Sequence, residues 1–341
     1  MENQAYISLV LCYLWKMEGK YMSYIDLHCD TLGQAFLKQK NTITVMPEDM
    51  VDINRLEKAK VLAQFFAIFL LPPGEEKPDD DEYINTLVQV LHDTIRENPD
   101  KIAMAHNVKE MELNRANGKT SAFLTIEDGR SVDGKIEKLE KYYDMGVRLI
   151  TLTWNFENCF GSPNSLDSNV MKKGLTAFGK EGVKRMEELG MLVDVSHLSD
   201  GGFYDVADIL SGPFVASHSN CRELANHPRN MTNDMIRVLA NKGGVSGINF
   251  FHKFLNNNHE EGYSNINDMI RHINHMVRYG GEDIVAIGTD FDGISGVKYD
   301  IKSPDQMYLL FDALKKEGYS ERQIDKFAYE NALRVMKDVI K

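Results

Sequence analysis

The sequence predicts an α/β fold, a closed (β/α)8 barrel of the TIM type, and three observations support this prediction. Eight short apolar runs rich in β-branched and aromatic residues alternate with longer segments of helical periodicity. Most of these runs are apolar on both faces, as parallel strands covered by helices are. No glycine-rich dinucleotide fingerprint follows any of them, which weakens the alternative of an open doubly wound sheet.

The predicted strands follow one another along the chain at the spacing of βα units. Their bounds are Tyr24–Asp30, Val61–Phe69, Ser121–Asp128, Val147–Trp154, Met191–His197, Pro213–Ser219, Gly244–Phe250 and Ile284–Asp290.

Amphipathic segments between these runs predict the helices. In Lys180–Leu189, Val183, Met186 and Leu189 share one face and Gly190 provides a stop. The polar, proline-containing stretch 71–81 predicts a surface loop that leads into an insertion between the second and third strands. We therefore expect one domain over residues 22–341.

Composition indicates a globular chain and excludes one class of partner. Hydrophobic residues make up 43% and charged residues 26%, a balance that permits a sizeable core. The formal net charge of -12, without a cluster of lysine and arginine, argues against nucleic acid as a partner. Four cysteines without CxxC spacing are typical of a reducing compartment, so we expect a cytoplasmic protein.

Residues 1–21 precede the predicted domain and contain an apolar run, Ala5–Trp15. The run is too short to span a membrane, and Glu2 stands where a signal peptide has basic residues. We expect an N-terminal extension whose role the sequence leaves open, with a secretory signal as the alternative. The C-terminus, which ends DVIK, has no lipid-anchor signal, so no membrane attachment is expected.

Polar side chains are concentrated where the predicted strands end, which is where parallel β/α sheets and barrels place their ligand sites. The strand ends carry His28-Cys29-Asp30, Glu127-Asp128, Ser196-His197, Ser217-His218-Ser219 and Asp290-Phe291-Asp292.

Five of these residues predict a binuclear metal site. Imidazole and carboxylate ligands suit zinc or a similar divalent ion, and cobalt and manganese fit the same set. One ion would take His28, Asp30 and Glu127, and the other Glu127, His197 and His218, with Glu127 as the bridge. Taken singly, each residue has an ordinary explanation: a buried histidine with a hydrogen bond, or a glutamate that faces solvent.

Other residues near the predicted mouth have candidate roles in catalysis and binding. Asp290 ends the eighth strand and is expected to act as acid and base on a bridging water. Asp292 is interpreted as a turn-forming aspartate. Arg229, in a loop with Asn230, is expected to bind a substrate carboxylate, although a solvent-facing arginine is the default interpretation.

Taken together, these motifs resemble the membrane (renal) dipeptidase family of zinc peptidases. The matching stretches, from about residue 24 to the C-terminal helix, are IDLHCDT, AQFFAIF, FLTIEDG, VDVSHLS, SHSNCRELANHPRN, IGTDFDG and ENALRVM. Several motifs in this order are far more specific than any one of them.

The resemblance implies a barrel with two Zn²⁺ held by the five residues named above. It also implies Asp290 as proton acceptor and donor, Glu127 as the bridging catalytic carboxylate, and Arg229 as the contact for the free carboxylate of a dipeptide. Family members hydrolyse dipeptides, often with a D-residue at the carboxyl side, and many form homodimers. We therefore expect a homodimeric zinc dipeptidase that uses a metal-bridging hydroxide.

One position departs from the family pattern. Animal members carry a substrate-contacting histidine after the fourth strand, where this sequence has Trp154. An indole donates only one hydrogen bond and fills more space than an imidazole, so the substrate range is open. The alternatives are another binuclear barrel hydrolase acting on a different small amide or lactone, or a metal-free binding protein on the same barrel.

Overall fold

A computed structural model describes residues 23–72, 74, 79–257 and 262–341. The predicted N-terminal extension, residues 1–21, lies outside these residues, as does part of the polar loop at 71–81.

Eight parallel strands form the closed barrel, and each of the eight predicted runs contains or overlaps one of them. Within the described residues, the strands are β1 Ile25–Cys29, β2 Ala63–Phe69, β3 Ile102–Met104, β4 Thr120–Glu127, β5 Val147–Thr151, β6 Leu192–Asp194, β7 Val215–Ala216, β8 Val245–Ile248, β9 Tyr263–Ser264, β10 Val285–Ile287 and β11 Lys298–Tyr299.

The order of neighbours is β2-β1-β10-β8-β7-β6-β5-β4, and β2 pairs with β4 to close the ring. This last pairing runs in register from Ala63 opposite Ser121 to Phe69 opposite Glu127. The barrel prediction is confirmed, and all strand ends of one polarity meet at one rim.

Three short strands were not predicted. β3 extends the sheet beside the start of β4, and β9 and β11 pair only with each other. Unlike the short barrel strands, these segments do not lie within a longer apolar run, and their pairing depends on the surrounding tertiary structure.

Helices cover the outside of the barrel. Their bounds are α1 Thr31–Leu37, α2 Ile53–Ala59, α3 Asp80–Glu97, α4 Val108–Ala116, α5 Ile136–Met145, α6 Ser168–Met171, α7 Ala177–Leu189, α8 Asp200–Ile209, α9 Asn233–Asn241, α10 His252–Leu255, α11 Ile266–Gly280, α12 Tyr308–Glu317, α13 Glu321–Asp325 and α14 Asn331–Val339.

Helix α7 shows how local sequence defines such an element. It begins three residues before the predicted start, because the Thr176 side chain accepts a hydrogen bond from the Gly179 N–H. It ends at Gly190, whose φ of 79° is a left-handed conformation that glycine adopts without strain.

Two hydrophobic clusters surround the strands. The larger one lies between the strands and the helices. The smaller one joins strand residues such as Phe65 and Phe123 to Val335 and Met336 of α14. Phe123 and Glu127 share one face of β4, since side chains alternate along a strand. Glu127 therefore lies at the rim above an apolar interior.

Candidate active site

The predicted metal ligands converge at the rim of the barrel. Glu127 is the last residue of β4, while His197 and His218 follow β6 and β7 closely. His28, Glu127 and His218 are each at most 3% exposed. Three of their ligand atoms lie within 4.8 Å of one another, and so do ligand atoms of His28, Asp30 and Asp290.

Glu127 lies between two groups of side chains. Its Oε2 is 3.4 Å from Nε2 of His28, and its Oε1 is 3.0 Å from Nε2 of His197 and 3.6 Å from Nε2 of His218. One carboxylate oxygen thus faces each group. A carboxylate that bridges two cations has this arrangement.

His28 provides a test of whether these residues fit a metal ion. Its Nε2 lies 3.3 Å from Oδ2 of Asp30, yet neither ring nitrogen has a hydrogen-bond partner among the described residues, although His28 is 1% exposed. A buried polar atom without a partner is costly, and a cation between imidazole and carboxylate would satisfy it. The donor set of nitrogen and oxygen atoms suits a divalent transition metal.

The charges at the site are also those of a cation site. Burial alone would lower the pKa of His28, but the carboxylates of Asp30 and Glu127 hold it well above its ordinary value. Burial would raise the pKa of Glu127, but the positive charge of His28 beside it keeps that pKa well below its ordinary value. Burial raises the pKa of Asp30. Positive charge is therefore favoured among these carboxylates.

The hydrogen bonds of the two remaining histidines orient their ring nitrogens. Nδ1 of His218 lies 2.7 Å from Oγ of Ser217, which itself donates to Oδ2 of Asp194. Because that hydroxyl proton is used on Asp194, Nδ1 of His218 carries the proton and donates to Ser217. Its Nε2 lone pair then points to the site, 3.1 Å from Nε2 of His197.

His197 has a matching partner on its outer side. Its Nδ1 lies 3.3 Å from the amide oxygen of Asn155, which is a hydrogen-bond acceptor. In the neutral ring the proton is therefore on Nδ1, and Nε2 is unprotonated. Burial lowers the pKa of His197 to about 4, so the ring is neutral at physiological pH. Neutral imidazole with a free Nε2 lone pair is the form that binds metals. Asn155, Ser217 and Asp194 were not predicted in these roles, because their contacts with the histidines depend on the folded barrel.

The backbone at the rim contains left-handed residues that are not glycine. φ is 69° at His197, 60° at Asp290 and 67° at Asp292. Such conformations cost free energy and cluster at functional sites, where the surrounding structure holds them. They turn the chain sharply at the strand ends.

Asp290 is oriented by a neighbour that the sequence analysis missed. Its Oδ2 accepts a hydrogen bond of 2.9 Å from Nδ2 of Asn249, which follows β8, and its Oδ1 lies 3.9 Å from Nε2 of His28. Burial, assisted by the charges of Asp30 and Glu127, raises the pKa of Asp290 to about 7. A carboxyl group with this pKa can both accept and donate a proton near neutral pH.

The DFDG turn brings the backbone very close to these carboxylates. A Cβ at Gly293 would lie 2.4 Å from Oδ1 of Asp290 and 2.4 Å from Oδ2 of Asp30, so only glycine fits. Asp292 accepts hydrogen bonds from the hydroxyl of Thr31 and the N–H groups of Met50 and Val51. These bonds tie the loop at Met50 and Val51 to the rim.

Arg229 is a buried cation beside the proposed ligands. It donates to Oγ of Ser219 at 3.2 Å and to the carbonyl oxygen of His218 at 3.1 Å, and its Nε has no partner. Within the ranges that the structure describes, no carboxylate lies at ion-pairing distance from Arg229. Burial lowers its pKa to about 10, which leaves it charged at neutral pH. A buried charge whose nearest carboxylates, Asp290, Glu127 and Asp194, act on it only from beyond contact distance is suited to an anionic ligand group.

Asn230 and Trp154 differ in how they are placed. Nδ2 of Asn230 donates to the carbonyl oxygens of Ala225 and Phe254, so this amide stabilises its own loop, and only Oδ1 lacks a partner. Trp154 is half-buried, with its ring centroid 6.3 Å from that of His197. Its ring therefore borders the site directly.

The barrel and this rim of donors define the class of metal-dependent hydrolases. The chain belongs to the membrane dipeptidase family (peptidase family M19), whose model matches residues 19–341. It is accordingly a metallopeptidase of dipeptidase type, as the motifs predict.

Relatives and solved structures agree with this assignment. An uncharacterized protein from the pqqA 5′ region of Klebsiella pneumoniae is 33% identical over 257 residues, 73% of this chain and 93% of that protein. An uncharacterized dipeptidase of Schizosaccharomyces pombe is 29% identical, covering 93% of this chain and 80% of its own. A metallopeptidase from Rhodobacter sphaeroides, liganded with a phosphinate mimic of the dipeptide L-Ala-D-Ala, has the same fold. Its TM-score is 0.84 at 22% identity, over 94% of this chain and 100% of that one.

In the part of the chain that the structure describes, no helix has the length and apolar character needed to cross a membrane.

Proposed function

We propose that this metallopeptidase is a zinc dipeptidase with two Zn²⁺ per chain and that it accepts dipeptides with a carboxyl-terminal D-residue. The observation that carries the proposal is the position of Glu127, with one oxygen toward His28 and the other toward His197 and His218. Asp30 completes the first group. These five side chains would hold the ions.

The metal ions and the protein side chains would have separate roles in the reaction. When bound, two divalent cations polarise the scissile carbonyl and lower the pKa of the attacking water. Asp290, which Asn249 orients, would take the proton of that water and return it to the leaving amine. Glu127 holds the two groups of ligands at a fixed separation.

Substrate size follows from Arg229. Its buried guanidinium would bind the free carboxylate of the second residue, because no protein carboxylate of the described residues pairs with it. A longer peptide would have to place an amide there in place of a charge. The ligand of the R. sphaeroides structure, a mimic of L-Ala-D-Ala, supports the inclusion of D-residues among the substrates to be tested.

The test couples metal content to hydrolysis. Elemental analysis of the protein purified without chelators should give about two zinc ions per chain, and the protein should hydrolyse a panel of L,L- and L,D-dipeptides. Glu127→Gln should reduce kcat/KM by orders of magnitude and lower the metal content, whereas Glu188→Gln, on the exposed face of α7, should change neither. Near-normal turnover by Glu127→Gln would contradict the scheme.

The same panel separates the alternatives. A hydrolase of a different small amide or lactone would turn over acyl-amino acids or lactones faster than any dipeptide. A binding protein would contain no metal and would lose no stability on treatment with a chelator.

Two further features remain predictions for this chain. We infer a homodimer in the cytoplasm, to be tested by light scattering after gel filtration and by cell fractionation. A monomeric mass, or recovery outside the cytoplasm, would contradict them.

A further inference from the structure

Three aromatic rings form an apolar surface at one side of the barrel mouth, which we call the aromatic shelf. It consists of Phe69, Trp154 and Phe156. The Phe69 and Trp154 centroids are 4.9 Å apart, in an edge-to-face arrangement, and the Trp154 and Phe156 centroids are 5.8 Å apart. Phe69 and Trp154 are half-buried, and Phe156 is 44% exposed. Large aromatic side chains left accessible beside a polar site are typical of ligand contacts.

The shelf adjoins the proposed metal ligands through one side chain. The Trp154 ring is 6.3 Å from the His197 ring, and Nε2 of His197 is 3.0 Å from Glu127. A group held over Glu127 therefore has the shelf as its neighbour on this side.

The topology places Phe69, one end of the shelf, opposite Arg229, while Trp154 and Phe156 follow β5, the fourth strand. Phe69 ends β2, the second strand of the barrel, whereas Arg229 bonds to His218 and Ser219 after β7, the sixth strand. In a closed ring of eight strands the second and the sixth are diametrically opposed. A molecule that crosses the mouth from Arg229 reaches the ligands first and the shelf next.

We propose that the aromatic shelf binds the side chain of the amino-terminal residue of the dipeptide and makes the enzyme prefer a large apolar side chain there. This inference rests on the proposed function, since it takes the carboxylate to lie at Arg229 and the scissile bond over Glu127. Two residues span roughly 7 Å, so the amino-terminal side chain is the part of the substrate directed to the second and fourth strands.

The physical cause of the preference is burial of apolar surface. A phenylalanine side chain on the shelf leaves water and packs against rings at favourable edge-to-face distances, whereas glycine gains nothing there. Hydrophobic pockets discriminate by roughly 10- to 200-fold for each methylene group. We expect kcat/KM for a Phe-Ala dipeptide to exceed that for Gly-Ala by about tenfold or more.

The experiment compares this ratio between the zinc-loaded wild type and variants of the shelf. The carboxyl-terminal alanine is kept in the form, L or D, that the wild type hydrolyses faster. Trp154→Ala should reduce the ratio by about tenfold, and Trp154→Phe should retain most of it. Leu166→Ala is the matched control, because Leu166 is an apolar residue of the segment that follows the same strand but is 90% exposed. It should keep the wild-type ratio.

The possible results separate the inference from the function on which it rests. Hydrolysis of both dipeptides with equal kcat/KM, or an equal loss for both in Trp154→Ala, would overturn the role of the shelf and leave the dipeptidase intact. Hydrolysis of no dipeptide by the wild type would overturn both. If Trp154→Ala does not fold, Phe69→Leu removes a ring from the same shelf and should lower the ratio in the same direction.

Discussion

His272 gives a prediction about stability that can be worked out from the structure. It lies in α11 and is fully buried. Its Nδ1 accepts a hydrogen bond of 3.0 Å from the N–H of Cys221, and its Nε2 donates one of 2.9 Å to the carbonyl oxygen of Leu255. The neutral ring satisfies both partners. A protonated ring would direct a second N–H at the N–H of Cys221, so burial and this geometry favour the neutral form.

The sign and size of the effect follow from two pKa values. Burial lowers the pKa of His272 to about 4 in the folded protein, against about 6.5 in an unfolded chain. Between these values the unfolded state binds more protons, so stability is complete above pH 6.5 and falls as the pH falls toward 4. Protonation of His272 should lower the free energy of unfolding by about 3 kcal/mol in total, and about 2 kcal/mol of this is lost between pH 7 and pH 5.

The assay is urea denaturation of wild type and His272→Gln at pH 5, 6 and 7. The variant should be less stable at pH 7 by about 1–3 kcal/mol, because buried hydrogen bonds are lost. Its stability should then fall with acid by about 2 kcal/mol less than that of wild type. His92→Gln, at an exposed position of α3, is the control and should keep the wild-type pH dependence. Equal pH dependence in wild type and His272→Gln would refute the reasoning.

The prediction has a functional consequence, since Cys221 begins the loop of residues 221–231 that carries Arg229. Protonation of His272 at Nδ1 would remove the hydrogen bond that anchors the N–H of Cys221 to α11. Binding of a substrate carboxylate should therefore weaken in acid in the wild type more than in His272→Gln.

Three further predictions concern the candidate site. Ser217→Ala removes the acceptor that holds His218 and should lower zinc affinity by roughly 10- to 100-fold in a chelator competition assay; the control Ser246→Ala, another buried serine that bonds only to a backbone carbonyl, should not. Gly293→Ala places a methyl group against two carboxylates and should reduce both activity and metal content, whereas Gly212→Ala meets no atom within 4 Å and should be neutral; equal activity of the two would contradict the packing argument. Removal of the metal by a chelator should lower the free energy of unfolding by about 3 kcal/mol for each bound ion, relative to zinc at a hundredfold excess over Kd, and an unchanged calorimetric midpoint would count against a structural metal centre.

The sequence predicted the barrel because its signal is repeated. Most of the predicted runs are apolar on both faces, and eight runs at similar spacing leave few other folds. Most of the predicted runs are longer than the strands that they contain, since strand ends depend on which partner residues are paired. β7 is only Val215–Ala216 within a predicted run of seven residues.

The candidate ligands were recognisable for a different reason. Histidine and acidic residues at the ends of apolar strands are unusual there unless they have partners, and the motifs that contain them occur in the order of a known family. Their convergence agrees with the closed ring, because every such end meets the same rim. Sequence position alone was informative in this case.

The residues that orient these ligands were not recognisable, and the reason is geometric. Asn249 and Ser217 resemble ordinary strand or loop residues, and their roles depend on which side chains face one another across the barrel. The register between neighbouring strands also changes at two irregularities. One lies between Asp26 and Cys29 in the pairing of β1 with β2, and the other between Leu124 and Thr125 in the pairing of β4 with β5. One residue of shift at such a point moves a side chain to the opposite face.

The aromatic shelf, which we propose to determine substrate specificity, could not be predicted from the sequence for the same reason. Phe69 and Trp154 are separated by 85 positions in the sequence, and each alone is an ordinary apolar residue at a strand end. Only pairing of β2 with β4, and of β4 with β5, brings their rings to 4.9 Å. In this barrel the residues with distinctive chemistry are recognisable one by one, whereas the surface proposed to select the substrate exists only after the ring has closed.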